Sequence, residues 1–159
     1  MIEIPLQEHF IEYQTDLGVA LRVGRAYVKA DYLDSAGNLV GYDTFLDCAA
    51  PFSIIPFRLW HDLDIARRPL GQLLRSGKPD PAALQWFGVP CELAEVQVSL
   101  RHSTRPIRTR LLPVVAKLPT TRVPPDNAVI LGYNFLVDNS IRLTMEGVAG
   151  RMVGSLVIA

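Results

Sequence analysis

Charge of one sign is what this chain most plainly lacks: 16 lysines and arginines stand against 16 aspartates and glutamates, for a formal net charge of zero. The basic excess that draws nucleic acid or an anionic bilayer is therefore missing, and neither partner is expected. Cysteine is scarce too. Two in 159 residues do not make a disulfide framework. No apolar run approaches the roughly 20 residues of a membrane helix, and residues 153–159 are apolar but so short that they read as a strand. The start, Met1-Ile2-Glu3-Ile4-Pro5, brings in an acid early and has no apolar h-region. No secretory signal is visible, and a cytoplasmic location is expected. His9 and His102 have no acid or cysteine at metal-ligand spacing, and there is no glycine-rich phosphate loop, so neither metal nor cofactor is expected. Repeats, low-complexity tracts and an interdomain linker are likewise missing, which leaves a single domain over 1–159. A chain of this length can bury about 70% of its unfolded surface.

What is present is a globular composition, 49% hydrophobic and 20% charged, punctuated by 12 prolines and 11 glycines. That punctuation leaves little room for long helices and predicts an all-β chain. The clearest hairpin runs from 26–33 through Asp34-Ser35-Ala36-Gly37-Asn38 into 39–46, because Gly and Asn accept the positive φ of a turn. Phe57, Trp60 and Leu63 recur at helical spacing and predict a short helix over 57–66, with Pro56 suited to its first turn. Residues 69–90 read as loop-rich, with a hairpin around Gly77-Lys78-Pro79-Asp80. Alternation predicts a strand over 92–101 and a return strand over 107–118. A strand at 129–131, a helical segment at 133–137 and a hairpin of 141–145 with 151–158 around 147–150 complete the pattern.

The hairpin delivers the chain to Phe45-Leu46-Asp47-Cys48-Ala49-Ala50-Pro51-Phe52-Ser53-Ile54-Ile55-Pro56. A lone acid follows two large apolar residues, then come small residues and a second apolar run, which puts a carboxylate on a tight loop just after a buried strand. This stretch resembles the active-site segment of retropepsin-like aspartic proteases, in which apolar residues precede Asp-Thr/Ser-Gly-Ala, then two variable residues, then a Ser or Thr and another apolar run. Asp47, Ala50 and Ser53 match that pattern; Cys48 and Ala49 stand where the family has Thr/Ser and Gly. A second segment, Ala128-Val129-Ile130-Leu131-Gly132-Tyr133-Asn134-Phe135-Leu136, is similar to the family's strand that passes beside the active-site loop. Gly132 suits such a passage, since a residue without Cβ lets two backbones pack closely.

The resemblance implies an all-β, retropepsin-like acid-protease half-barrel with one or two short helices. It further implies aspartic endopeptidase chemistry, in which two carboxylates share one proton. One Asp motif per chain then requires a homodimer, with Asp47 and its symmetry mate as the catalytic pair acting on a peptide or protein substrate. In the family the Thr or Ser after the Asp ties the two loops together, a task for which Cys48 offers only a weak S–H donor. The family's Gly supplies a backbone N–H to the carboxylates, which Ala49 retains while adding a methyl. Ile130, Leu131 and Gly132 form the implied supporting strand. A substrate-covering flap is expected between the loop and Glu92, with Trp86, Phe87 and Gly88 as candidates, although the family's glycine-dense tip is missing. The alternative is a catalytically impaired module that keeps the fold for dimerisation or for peptide binding by strand addition.

Plainer readings compete at each position. Asp47 alone reads as an acid in a turn between strands. Cys48 with His61 spells a Cys–His nucleophile, but a small buried cysteine is the commoner case. Arg101, His102, Arg105, Arg108 and Arg110 fall on one predicted hairpin tip, either as a solvated face or as a dock for an acidic partner. Trp60, Trp86 and Phe87 read as core or flap packing.

Overall fold

The computed structural model describes residues 1–80, 84–86, 88–119 and 128–159. In chain order its strands are β1 (Ile2–Pro5), β2 (Gln7–Gln14), β3 (Ala20–Leu33), β4 (Leu39–Leu46), β5 (Ile54–Ile55), β6 (Arg68–Pro69), β7 (Leu74–Arg75), β8 (Lys78–Pro79) and β9 (Gln85–Trp86). There follow β10 (Val89–Leu100), β11 (Ile107–Leu111), β12 (Val114–Ala116), β13 (Val129–Leu131), β14 (Ile141–Val148) and β15 (Arg151–Ile158). Two short helices, α1 (Phe57–Asp62) and α2 (Tyr133–Asp138), interrupt them. The all-β expectation with one or two short helices is met. Among the described residues no helix is long and apolar enough to cross a membrane.

Period-two alternation sets the main sheet. From Ala26 onward β3 buries Ala26, Val28, Ala30 and Tyr32, while the intervening residues face outward, as a half-buried strand must. Its earlier half, with β2, is exposed and pairs in register from Gln7↔Tyr27 to Gln14↔Ala20. The sheet order is β11-β10-β12-β5-β13-β4-β3-β2, and β10 also pairs with β3 through Val98↔Tyr32 and Leu100↔Ala30. The path β3-β4-β13-β5-β12-β10 thus returns to β3. Inside it lie Tyr32, Val96, Leu100, Leu111, Leu131 and Phe135, all at most 1% exposed. A separate three-stranded sheet, β1-β15-β14, adds Ile4, Ile141 and Leu156 to the same core.

The turn between β3 and β4 forms as its residues dictate. The Asp34 carboxylate accepts the Ala36 and Asn38 N–H groups at 3.0 and 2.7 Å, and Gly37 takes φ +86°. Ser76-Gly77, between β7 and β8, and Ala149-Gly150, between β14 and β15, both have positive φ at each residue, the geometry that two-residue hairpins favour.

Four boundaries differ from expectation. The helix expected over 57–66 ends at Asp62, because Asp64 turns into the left-handed region (φ +52°). There its carbonyl accepts the Ser35 N–H at 2.9 Å and its carboxylate the Ser35 hydroxyl at 3.0 Å. The strand expected over 92–101 starts earlier, at Val89, because β9 pairs back onto it through Val89↔Trp86. The return strand expected over 107–118 splits into β11 and β12. Pro113 has no N–H to give a ladder, and the Leu112 carbonyl bonds a side chain instead. Finally β14 runs on to Val148, since the tight turn is Ala149-Gly150 rather than the whole of 147–150.

Two polar contacts in this framework generate predictions. Tyr32 and Thr44 are both 0% exposed, and their hydroxyls bond each other at 2.7 Å; burial pushes the Tyr32 phenol pKa upward. Thr44 has a second partner in the Tyr42 carbonyl at 3.3 Å. Tyr32→Phe should therefore cost about 1 kcal/mol, whereas Thr44→Val, which strands the Tyr32 hydroxyl, should cost about 1–3 kcal/mol in urea unfolding.

The second contact is Glu8, whose carboxylate takes the Arg22 guanidinium and, at 3.0 Å, the Met152 N–H of β15, so it ties the two sheets together. The hydrogen bond from Arg22, then that from Met152, holds its pKa below the usual carboxylate value. On acidification the unfolded chain takes up this proton first, so Glu8 contributes stability above its ordinary pKa that is lost as pH falls through the lowered one. Glu8→Gln should flatten the acid limb of the stability–pH curve, measured by urea titration from about pH 6 to 2.5.

Candidate functional site

The chain leaves β4 at Leu46, and β13 lies parallel to that strand, with Val129↔Thr44 and Leu131↔Leu46 in register. β5 pairs with the same β13 from its other side, antiparallel at Ile130↔Ile54. Residues 47–53 must therefore cross the end of β13 to bring the chain from one flank to the other. Ile130 and Leu131 sit at the centre of this arrangement, 3% and 1% exposed.

Asp47 opens the crossing. Its N–H donates to the Leu131 carbonyl at 3.0 Å, which extends the β4 pattern by one residue, and its carbonyl accepts the Ala50 N–H at 3.0 Å. The half-buried carboxylate accepts the Ala49 N–H at 3.1 Å through Oδ1. Ala49 does not take a positive φ, so its methyl carries no left-handed strain and its N–H still reaches the acid. Cys48 is a free thiol, exposed at the loop tip beside exposed Ala49 and Pro51. Ala50 turns inward against a small apolar cluster that includes Ile54, Val114 and Ile130.

Ser53 closes the crossing. It is 0% exposed, and its hydroxyl donates to Asn134 Oδ1 at 3.0 Å while accepting the Gly132 N–H at 2.9 Å. Its own N–H also donates to Asn134 Oδ1, at 2.8 Å, and the Asn134 amide donates to the Leu112 carbonyl at 2.7 Å. The carbonyls of Ala50 and Pro51 accept the Tyr133 and Asn134 N–H groups at 2.8 and 3.3 Å. These would otherwise be open donors at the start of α2. Gly132 is indispensable for this contact: a Cβ there would lie within 2.6 Å of the Ala50 carbonyl oxygen and against the Phe52 backbone.

The expected site residues thus come together: Asp47, Cys48, Ala49, Ala50 and Ser53 share one loop, and Ile130, Leu131 and Gly132 carry it. Of the flap candidates, Phe87 and the Trp86 side chain lie outside the described residues; Gly88 is exposed, with φ +77° between β9 and β10. His61 does not form a pair with Cys48: its ring stacks on Phe57 and its Nδ1 bonds Asp62 at 2.9 Å. The basic cluster expected at one tip divides, with Arg101 bound to Asp31 and Arg110 to Glu95 at 3.1 Å. No group of three or more metal-ligating side chains occurs among the described residues.

No protein-family model matches this chain, and no curated protein matches it. Among solved structures it is similar to the EIAV protease complexed with the inhibitor HBY-793, at 18% identity over 76% of this chain and 92% of that chain, with a TM-score of 0.38. At that level the site stands on its own geometry.

Sequence reading alone did not assign a role to Asn134, which joins Ser53, α2 and the Leu112 carbonyl. Its spacing, two residues after Gly132, is the signal that was available. A groove beside the site, lined by His9, Arg25, Lys29, Phe45 and Arg101 among others, had no sequence signal, since its residues come from three strands and from the segments that follow β10 and precede β13.

The clasp yields a graded prediction. Ser53→Ala leaves the buried Gly132 N–H without its acceptor and should cost about 1–3 kcal/mol. Gly132→Ala sets a methyl against backbone on both sides and should cost about 3 kcal/mol or more. Denaturant midpoints should fall in that order.

Proposed function

We propose that this chain, as one domain over 1–159, is half of a homodimeric aspartic endopeptidase, with Asp47 from each copy forming the catalytic pair. The observation that carries the proposal is the seating of the Asp47 carboxylate. It sits on a loop that crosses a buried strand, takes a backbone N–H from Ala49, and is fixed from behind by Ser53, Gly132 and Asn134. A turn acid without function needs no such support.

Two carboxylates within a few ångströms cannot both ionise, so one proton is held between them and the two pKa values belong to the pair. The ionised member removes a proton from a bound water, whose oxygen adds to the scissile carbonyl. The protonated member donates to the carbonyl oxygen, giving a neutral tetrahedral diol. Collapse of the diol re-forms the carbonyl, breaks the C–N bond and moves a proton to the amine, which restores the pair. The Ala49 N–H keeps one oxygen of each carboxylate oriented. Exposure of Cys48, Ala49 and Pro51 in a single copy fits a tip that a second copy covers.

The competing reading, a peptide-binding module without catalysis, is favoured by Cys48, whose thiol is a poor substitute for a hydroxyl in tying two loops together. The test is cleavage of a diverse peptide library from about pH 4 to 7 by wild type and Asp47→Asn, together with sedimentation at assay concentration. Cleavage should fall to background in the variant, and the active species should sediment as a dimer. Full activity in a monomer, or equal inactivity of both proteins, would sink the endopeptidase reading. Cys48→Thr should tighten the dimer about fivefold, the effect of a net hydrogen bond of about 1 kcal/mol gained across the interface.

A further inference from the structure

The groove beside the site has a volume of about 690 Å³, within the usual range for a ligand pocket. Gly41, Asp43 and Phe45 of β4 line one wall. They are alternate residues of one strand and so share a face. Asp47 is the next residue in that alternation, about 7 Å beyond Phe45 at the rise of an extended chain. Ala128, just before β13, lies level with Asp43 by the parallel Val129↔Thr44 register, and Phe45 is the β4 lining residue nearest the loop. The groove therefore runs toward the Asp47 carboxylate along the same face of the sheet.

Its lining is cationic. Arg25 and Lys29 come from the outward face of β3, His9 lies directly opposite Arg25 on β2, and Arg101 enters from the end of β10. Arg101 is already engaged: it grips Asp31 through Nε and Nη2, lying across Gly41, where any Cβ would collide with its guanidinium. Arg25 lies over the Phe45 ring at 4.5 Å, and its guanidinium has no ion pair or hydrogen bond among the described residues. The Lys29 ammonium has no ion pair or hydrogen bond among the described residues, although Asp43 is its cross-strand neighbour. Asp43 is the one acid among the described lining residues. With Arg101 matched by Asp31, Arg25 and Lys29 together exceed it in charge.

We infer that this groove selects an acidic side chain of the bound peptide. A substrate Glu or Asp within about three residues of the bond lying over Asp47 places its carboxylate between Arg25 and Lys29, since an extended peptide advances about 3.3 Å per residue. Arg25 supplies a planar pair of donors and Lys29 a point charge. Phe45 presents an apolar floor to the methylene stem. The inference rests on the endopeptidase reading for the position of the cut, but the groove's preference can be measured without cleavage.

The experiment uses fluorescein-labelled peptides in matched pairs, with Glu or Gln placed in turn at each position within four residues of the cleaved bond. Wild type should cleave the best Glu peptide about tenfold faster in kcat/KM than its Gln twin, a modest ratio because the groove is open to solvent. The ratio should shrink at about 0.5 M salt, where exposed charges are screened. In Arg25→Gln/Lys29→Gln it should fall to about one, and in Lys29→Glu it should turn toward a Lys peptide, with both variants checked for native unfolding curves. Equal cleavage of Glu and Gln peptides by wild type, or a ratio unchanged in the double variant, overturns the inference. If no peptide is cleaved, binding of the same pairs by anisotropy decides the matter separately. A Glu preference in binding that the double variant loses keeps the groove and removes the endopeptidase. Equal or undetectable binding removes the groove.

Discussion

The Ser53 hydroxyl is the group on which the rest of the structure turns. It is fully buried, gives its proton to Asn134 and receives one from the Gly132 N–H. Neither atom is left unmet, and so a polar group at the centre of the molecule stabilises it instead of penalising it. The position follows from topology. β13 has β4 on one side in parallel and β5 on the other in antiparallel, so the chain between β4 and β5 must pass over the end of β13. Three backbone segments converge there with no room for a fourth. A small hydroxyl on the loop, a residue without Cβ on the strand and a short amide on the helix satisfy that geometry together.

The same contact orders the candidate site. With six residues, α2 is far too short to form alone, because a helix of that length does not repay its nucleation. Its first N–H groups are met by the Ala50 and Pro51 carbonyls, and its far end is held by Asn139. That side chain accepts the Arg110 N–H at 2.8 Å and donates to the Arg110 carbonyl at 2.7 Å, as a neighbouring strand would. The helix and the loop thus stabilise each other, and Asp47 inherits the stiffness of the core through the Leu131 carbonyl. Fold and site are one network here.

Much of this was legible in the residues. Alternation in 26–33 and 39–46, the Asp34 to Asn38 turn and the Gly132 passage were each readable because a local rule dictates them. Three things were not, and each depends on a distant partner. The end of α1 is set by Ser35, which draws Asp64 into a left-handed turn from 29 positions away. Helical periodicity in Phe57, Trp60 and Leu63 carries no trace of that. The break at Leu112-Pro113 is set jointly by proline, which is visible, and by Asn134, whose reach to the Leu112 carbonyl is not. The cationic groove gathers residues whose registers bring them together only after β2, β3, β4 and β10 have paired.

The two departures from the retropepsin-like pattern separate once the geometry is known. Ala49 had raised a backbone question, and the backbone answers it: with no positive φ and with its N–H on the Asp47 carboxylate, the residue performs what a glycine would at the cost of one exposed methyl. Cys48, which stands where the retropepsin-like pattern has a hydroxyl, raises a different question. Its thiol is free and exposed, and it has no hydrogen-bond partner among the described residues. The described contacts of Ser53, α2 and the Asp47 carboxylate do not run through Cys48, so substitution there should leave them where they are. A change at Cys48 therefore leaves the loop's supporting contacts in place, whereas a change at Ser53 or Gly132 removes one of them or sets a methyl against the Ala50 and Phe52 backbone.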